Sequence, residues 1–181
     1  VLNQCNVTNE QKGNIFKITT QLASKGFRIL AVGQSDFKDQ KFPATQQEFV
    51  FEFLGLIGFY DPPKENMKDI LQKFYSAGIN VKMITGDYSE TAIAIANQIE
   101  LKNSSAVLTG DQIIAMSDQD LKSNVGSVNI FARMFPDAKL KVIEALKANG
   151  EVVAMTGDGV NDGPALKAAH IGIAMGLRGS E

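Results

Sequence analysis

The stretch EVVAMTGDGVNDGPALKAAHIGIAM (151–175) decides the fold. Its first five residues are apolar enough for a buried strand. TGDGVND (156–162) follows, with two glycines, two aspartates and an asparagine, the chemistry of a turn. PALKAA (164–169) reads as a short helix, and IGIAM (171–175) as a second strand. A strand, a turn, a helix and a strand in this order make a parallel pair with a crossover.

Working outward, the same unit recurs. A helix from about Ala138 carries Val142, Ile143 and Leu146 on one face and ends at Gly150. VNIFAR (128–133) before it is strand-like. Further back, INVKMI (79–84) is a strand that runs into TGD (85–87), then a helix with Ala92, Ile95, Ala96 and Ile99 on one face. Asp87 and Glu90 have the spacing of a capping box at its start. Met67, Ile70, Leu71 and Phe74 mark an earlier helix, entered through Pro62 and Pro63 and closed by Gly78. Phe49 to Asp61 is a Phe-rich apolar run with the character of buried strand, its phenylalanines 49, 51, 53 and 59 expected in a core. Ile15, Ile18, Thr19 and Leu22 set one face of a helix over 9–25, with Gly26 at its end and a strand at 27–32. The polar stretch 35–47, holding Pro43 and no periodicity, is the expected boundary between residues 1–48 and 49–181. The fold class expected is α/β with a parallel sheet.

Composition narrows the function. With a net charge of -2 over 181 residues, a broad nucleic-acid contact is not expected. One cysteine, Cys5, allows neither an internal disulfide nor a cysteine metal cluster. No apolar run has the length of a membrane helix. The chain opens on Val1 and stops at GLRGSE, so it reads as a piece of something longer.

The triplet TGD occurs three times, at 85–87, 109–111 and 156–158. Ligands of open parallel sheets sit at the carboxyl ends of strands, where the first and third copies are expected. In TGDGVND, Asp158, Asn161 and Asp162 are hard oxygen donors suited to Mg²⁺ at a phosphate site, and the glycines let backbone approach a ligand. Without a cation, carboxylates so close would repel. At 85–87, the Thr85 hydroxyl and the N–H groups at a helix start can donate to phosphoryl oxygen, while Asp87 can cap the helix, face a nucleotide, or both. At 109–111, Asp111 is most simply a helix cap and the copy structural. Lys139, near the amino end of a helix, sits against the dipole unless an anion shares its site. His170, the only histidine, reads as a helix-end residue.

DPPKE (61–65), MITGD (83–87), FARMFPDAK (131–139) and MTGDGVNDGPALKAAHIGIAMG (155–176) together resemble the cytoplasmic part of P-type cation-transporting ATPases, nearer the calcium- and sodium-pump branch than the copper pumps. Residues 1–48 resemble the end of that family's nucleotide-binding domain, mainly through GFRILA. The resemblance implies a Rossmann-like phosphorylation domain of the haloacid-dehalogenase superfamily. It implies Asp158 on Mg²⁺, Asn161 and Asp162 organising that ion and its phosphate, and Lys139 neutralising the phosphoryl group. Thr85, Gly86 and Asp87 would contact nucleotide or phosphoryl group, and Arg133 and Arg28 would reach the nucleotide. ATP is the implied substrate. The implied partners are the nucleotide-binding, actuator and transmembrane parts of a membrane pump, with this part soluble and on the cytoplasmic side.

Two departures stand out. Lys64 replaces the family's usual arginine, which keeps charge and loses the planar fork. The family's phosphorylated aspartate lies in D-K-T-G-T, which these residues lack. Asp61 is followed by Pro62 and Pro63, where a nucleophile's flanking groups should be, and the resemblance gives it a hinge position. The missing nucleophile strand should leave an apolar sheet edge, to be filled by a displaced segment or by self-association. A free-standing phosphatase of the same superfamily needs a D-x-D or D-x-T after a strand, and none is so placed. A non-catalytic nucleotide- or Mg²⁺-binding module is the remaining alternative for the isolated chain.

Overall fold

The computed structural model describes residues 2–38, 42–158 and 161–175. Gly159 and Val160, inside the TGDGVND turn, and Gly176, the last residue of the quoted resemblance, lie outside them. The chain divides into two compact units, Val1–Pro62 and Pro63–Glu181.

The first unit holds α1 (Asn9–Ala23), β1 (Arg28–Gln34) and β2 (Glu52–Phe59). Thr8 caps α1 through a capping box with Gln11, and Gly26, at φ 87°, turns the chain out of the helix into β1. β1 and β2 pair antiparallel, from Arg28 opposite Phe59 to Gln34 opposite Glu52, with a register shift at Val32/Gly33. The expected boundary after residue 48 falls within the first of these compact units. The apolar run after the polar stretch is not the first strand of the parallel sheet but the partner of β1, so the compact units part at Pro62/Pro63, next to Asp61. The phenylalanines also depart from expectation. Phe59 is half exposed, and Phe49, Phe51 and Phe53 are only partly covered, because a two-stranded sheet has too little area to bury both faces. Phe37, Phe42 and Phe49 instead cluster with ring centroids 4.9–6.3 Å apart.

The second unit runs through α2 (Met67–Ser76), β3 (Met83–Ile84), α3 (Ser89–Gln98), β4 (Val107–Thr109), α4 (Gly110–Ala115), α5 (Asp118–Val125), β5 (Ile130–Ala132), α6 (Pro136–Ala148), β6 (Ala154–Gly157), α7 (Gly163–Ala168) and β7 (Ile171–Ala174). β5 lies between β3 and β4, all parallel, and β6 pairs parallel with β7. Alternation along β5 builds the layers. Ile130 and Ala132 are fully buried in a cluster with Leu71 of α2 and Ala92 and Ala96 of α3. Phe131, between them in sequence, is fully buried in a second cluster with Ile113, Leu121, Val142 and Leu146 of α4, α5 and α6. Helices thus cover both faces of the sheet, the arrangement parallel strands require. Phe74 is exposed, and Tyr75 takes its place against the core.

Val153, Met155 and Ala165 join the same cluster as Phe131, so β6 and α7 share the core of the three-stranded sheet without sharing its hydrogen bonds. Among the described residues β3 is paired only through β5 and β6 only through β7. The parallel strands thus form one sheet of three and one of two. Ile171 and Ile173 share one face of β7, and they and Met175 just beyond it are each more than half exposed.

Lys82 locks the start of β3 to the turn before β5. Its Nζ donates to the carbonyls of Val125, Gly126 and Val128 and to Asn129 Oδ1, at 2.7–3.1 Å. Burial holds this ammonium below its usual range, and the charge of Glu151 works against that shift.

Candidate functional site

All three TGD copies stand at the carboxyl ends of parallel strands. Thr85 follows β3, Thr109 ends β4, and Thr156-Gly157 ends β6. Residues 107–109, which lead into the second copy, are a strand paired to β5.

At the first copy, the Thr85 N–H donates to the Phe131 carbonyl, 2.9 Å, continuing the ladder of β3. The hydroxyl then turns onto Asp87, accepting from its N–H at 3.1 Å and lying 3.2 Å from Oδ2. The N-cap of α3 is Tyr88, without a side-chain cap bond, so the expected Asp87–Glu90 capping box does not form. Asp87 is spent on the turn before the helix.

The chain leaving β5 fits against this loop. The Arg133 N–H donates to the Asp87 carbonyl at 2.9 Å, and the Met134 N–H to the Thr85 carbonyl at 3.0 Å. Arg133 takes φ 54°, rare for a residue with a Cβ. Ala132 and Met134 are buried while Arg133 is exposed, its guanidinium 4.7 Å from the ring centre of Tyr88.

Pro136 opens α6 and Lys139 lies in its first turns. Lys139 Nζ stands 2.6 Å from Asp162 Oδ1, both side chains nearly buried, at 13% and 11% exposure. Asp162 is the anion that makes a lysine acceptable near the positive end of a helix. Asp162 in turn packs on Gly157, where an added Cβ would lie 2.6 Å from its Oδ2. Of the two aspartates of this loop, Asp162 is the one paired with the lysine. Asp158, which follows Gly157, and Asn161, which precedes Asp162, are exposed. Their oxygens with that of Asp162 are the hard donor set that Mg²⁺ takes. Among the described residues no three His, Cys, Asp or Glu side chains gather into a metal cluster. The donor set fits the ion in kind, with Asp158 the carboxylate left open to it.

At the second copy the expected cap is corrected. Thr109, not Asp111, is the N-cap of α4, accepting from the Gln112 N–H while Gln112 Oε1 accepts from the Thr109 N–H at 2.9 Å. Gly110 is held for space, since a Cβ there would lie 2.6 Å from the Arg133 carbonyl and 2.8 Å from the Phe135 ring. His170 ends the turn after α7, its Nδ1 accepting from the Val153 N–H at 3.1 Å.

The structure therefore joins Thr85, Gly86, Asp87 and Arg133 in one turn, and Lys139, Asp162 and Gly157 in one contact. The short run from Arg133 to Pro136 connects the two. Arg28 begins β1 in the first unit. Sequence reasoning missed Tyr88 and Gly110, although each adjoins or belongs to a TGD copy.

The family model of haloacid dehalogenase-like hydrolases matches residues 10–170. The chain belongs to that family. It is 41% identical over 179 residues, 97% of its length, to calcium-transporting ATPase 1 of Saccharomyces cerevisiae. It is 40% identical over 176 residues to a calcium-transporting ATPase of Bacillus subtilis and 42% over 176 residues to calcium-transporting ATPase type 2C member 1 of Bos taurus. These matches cover 96% and 97% of the chain. The resemblance to P-type ATPases read from the motifs is thus met by relatives along nearly the whole chain. The chain spans about a fifth of each relative, at 19%, 20% and 17% of their lengths.

Proposed function

We propose that this chain is the phosphoryl- and Mg²⁺-handling piece of an ATP-driven cation pump that works through an aspartyl phosphate. Residues 1–48 would be the end of its nucleotide-binding domain, and most of the remainder its phosphorylation domain. The observation that carries the reading is the nearly buried Lys139–Asp162 pair at the end of β6, beside Asp158. A cation held ready at a strand end is what a transferring phosphoryl group needs.

In this reading Lys139 neutralises phosphoryl oxygens, leaving Asp162 in part as it does so. Thr85 and the N–H groups at the start of α3 donate to the same group, with Gly86 giving close approach and Asp87 and Arg133 contacting the nucleotide. Arg28 is proposed as a further nucleotide contact on the resemblance alone. Asp158 would hold Mg²⁺, with Asn161 and Asp162 ordering the ion's surroundings. Mg²⁺ would supply charge neutralisation between substrate phosphates and enzyme. The nucleophilic aspartate must come from outside these 181 residues, since they lack D-K-T-G-T.

The relatives' names favour calcium as the transported ion. Among the described residues no helix is long and apolar enough to cross a membrane. The ion path would belong to membrane segments elsewhere in a longer protein, with this part facing the cytoplasm. Nucleotide, actuator and transmembrane parts of that pump are the proposed partners. The edges of β3 and β6 that no described strand pairs offer a place for the nucleophile strand, or for self-association when it is absent. Taken alone, the chain acts as a nucleotide- and Mg²⁺-binding module without turnover.

Magnesium titration by calorimetry tests this. Binding by the native chain that disappears in Asp158→Ala supports it, and indistinguishable titrations count against a formed site. Incubation with labelled ATP should leave the chain unlabelled. An acid-stable, hydroxylamine-labile phosphoprotein would show a nucleophile within these residues and overturn the assignment.

A further inference from the structure

Arg133, bonded to the first TGD loop, has its backbone held in the left-handed region, at φ 54°. Such strain persists only where the surroundings fix it, and here three features do. The Arg133 N–H is tied to the Asp87 carbonyl and the Met134 N–H to the Thr85 carbonyl. The Arg133 carbonyl then points at Gly110, where any side chain would collide with it at 2.6 Å. The second TGD copy thus supplies the space that lets Arg133 turn.

The turn takes Arg133 out of line with β5 and sets its guanidinium over the ring of Tyr88, 4.7 Å from the ring centre. Tyr88 is 45% exposed, so it plugs no core. A guanidinium lying against an aromatic face still has N–H donors free in its own plane. It also gives up less freedom when it closes on an anion, because the ring has already limited its rotamers.

We propose that Tyr88 is a positioning residue: it aims Arg133 at the polyphosphate or ribose of a nucleotide held at the Thr85–Asp87 loop, with Gly110 supporting the turn from behind. This rests on the reading of Arg133 as a nucleotide contact. Tyr88 acts only through Arg133, so its effect must vanish when Arg133 is removed.

The test is the Kd of ATP with Mg²⁺, by calorimetry on the full chain, for Tyr88→Ala, Tyr88→Leu, Tyr88→Phe, Arg133→Ala and the Tyr88→Ala/Arg133→Ala double variant. Circular dichroism checks each fold. An exposed cation–π contact sets the scale, so Tyr88→Ala and Tyr88→Leu should weaken binding about 2- to 5-fold. Tyr88→Phe should match the native chain, and the double variant should bind like Arg133→Ala alone. Native affinity in both Tyr88→Ala and Tyr88→Leu, or a Tyr88 effect that persists without Arg133, overturns the proposal while leaving the nucleotide reading intact. A native chain with no affinity for ATP and Mg²⁺ overturns both.

Discussion

Two loops with the same three letters flank β5 and fold differently. At 109–111 the threonine is a helix cap, and the helix begins at the glycine. At 85–87 the threonine hydroxyl folds onto its own aspartate, and the helix begins four residues later, at Ser89. The residue three places after the threonine separates them. Gln112 has a side-chain carbonyl to return to the Thr109 N–H and closes a capping box. Tyr88 has none, and the Thr85 N–H is already given to Phe131. Identical triplets therefore yield a capped helix start in one place and a separate turn ahead of the helix in the other. The glycines differ in the same sense. Nothing lies nearer than 3.8 Å to a Cβ on Gly86, while Gly110 and Gly157 have atoms at 2.6 Å.

The comparison can be broken at several points, here from the largest expected effect to the smallest. Lys139→Ala leaves Asp162 nearly buried without its cation and should cost roughly 3–5 kcal/mol in urea unfolding. A loss under about 1 kcal/mol would mean the pair does not anchor the third loop. Gly110→Ala drives a Cβ into backbone and ring and should cost about 2–3 kcal/mol, and Gly157→Ala, meeting a side chain that can shift, about 1–2 kcal/mol. Thr109→Ala removes the cap of α4, worth about 1 kcal/mol, and Thr85→Ala should cost less. Gly86→Ala should stay within about 0.5 kcal/mol of the native chain. Equal costs at the three glycines, by thermal or urea unfolding, would show that the copies are equivalent after all.

Much of the second unit was legible because parallel strands and their helices leave strong periodic marks. Val142, Ile143 and Leu146 were placed on the buried face of α6, and Gly78 and Gly150 do take positive φ after their helices, as Gly26 does in the first unit. α5 was not foreseen, because DQDLKSNV has only Leu121 and Val125 to bury. The partner of β2 was missed for another reason. A Phe-rich run looks the same whether it joins a parallel core or an antiparallel hairpin, and only the pairing tells them apart. At the site, the residue types of Lys139 and Asp162 pointed to phosphate chemistry, but their contact across 23 positions had no local signal. Gly110 and Tyr88 gained meaning only once β5 brought Arg133 between the loops.

The most direct test of shared work by the first and third copies is an amide NMR titration of the chain with Mg²⁺ and inorganic phosphate. Thr85–Asp87 and Gly157–Asp158 should shift together along one binding curve, with Asp111 and Gln112 left in place. Shifts confined to residues 109–112, or separate curves for the 85–87 and 157–158 loops, would contradict a common crevice.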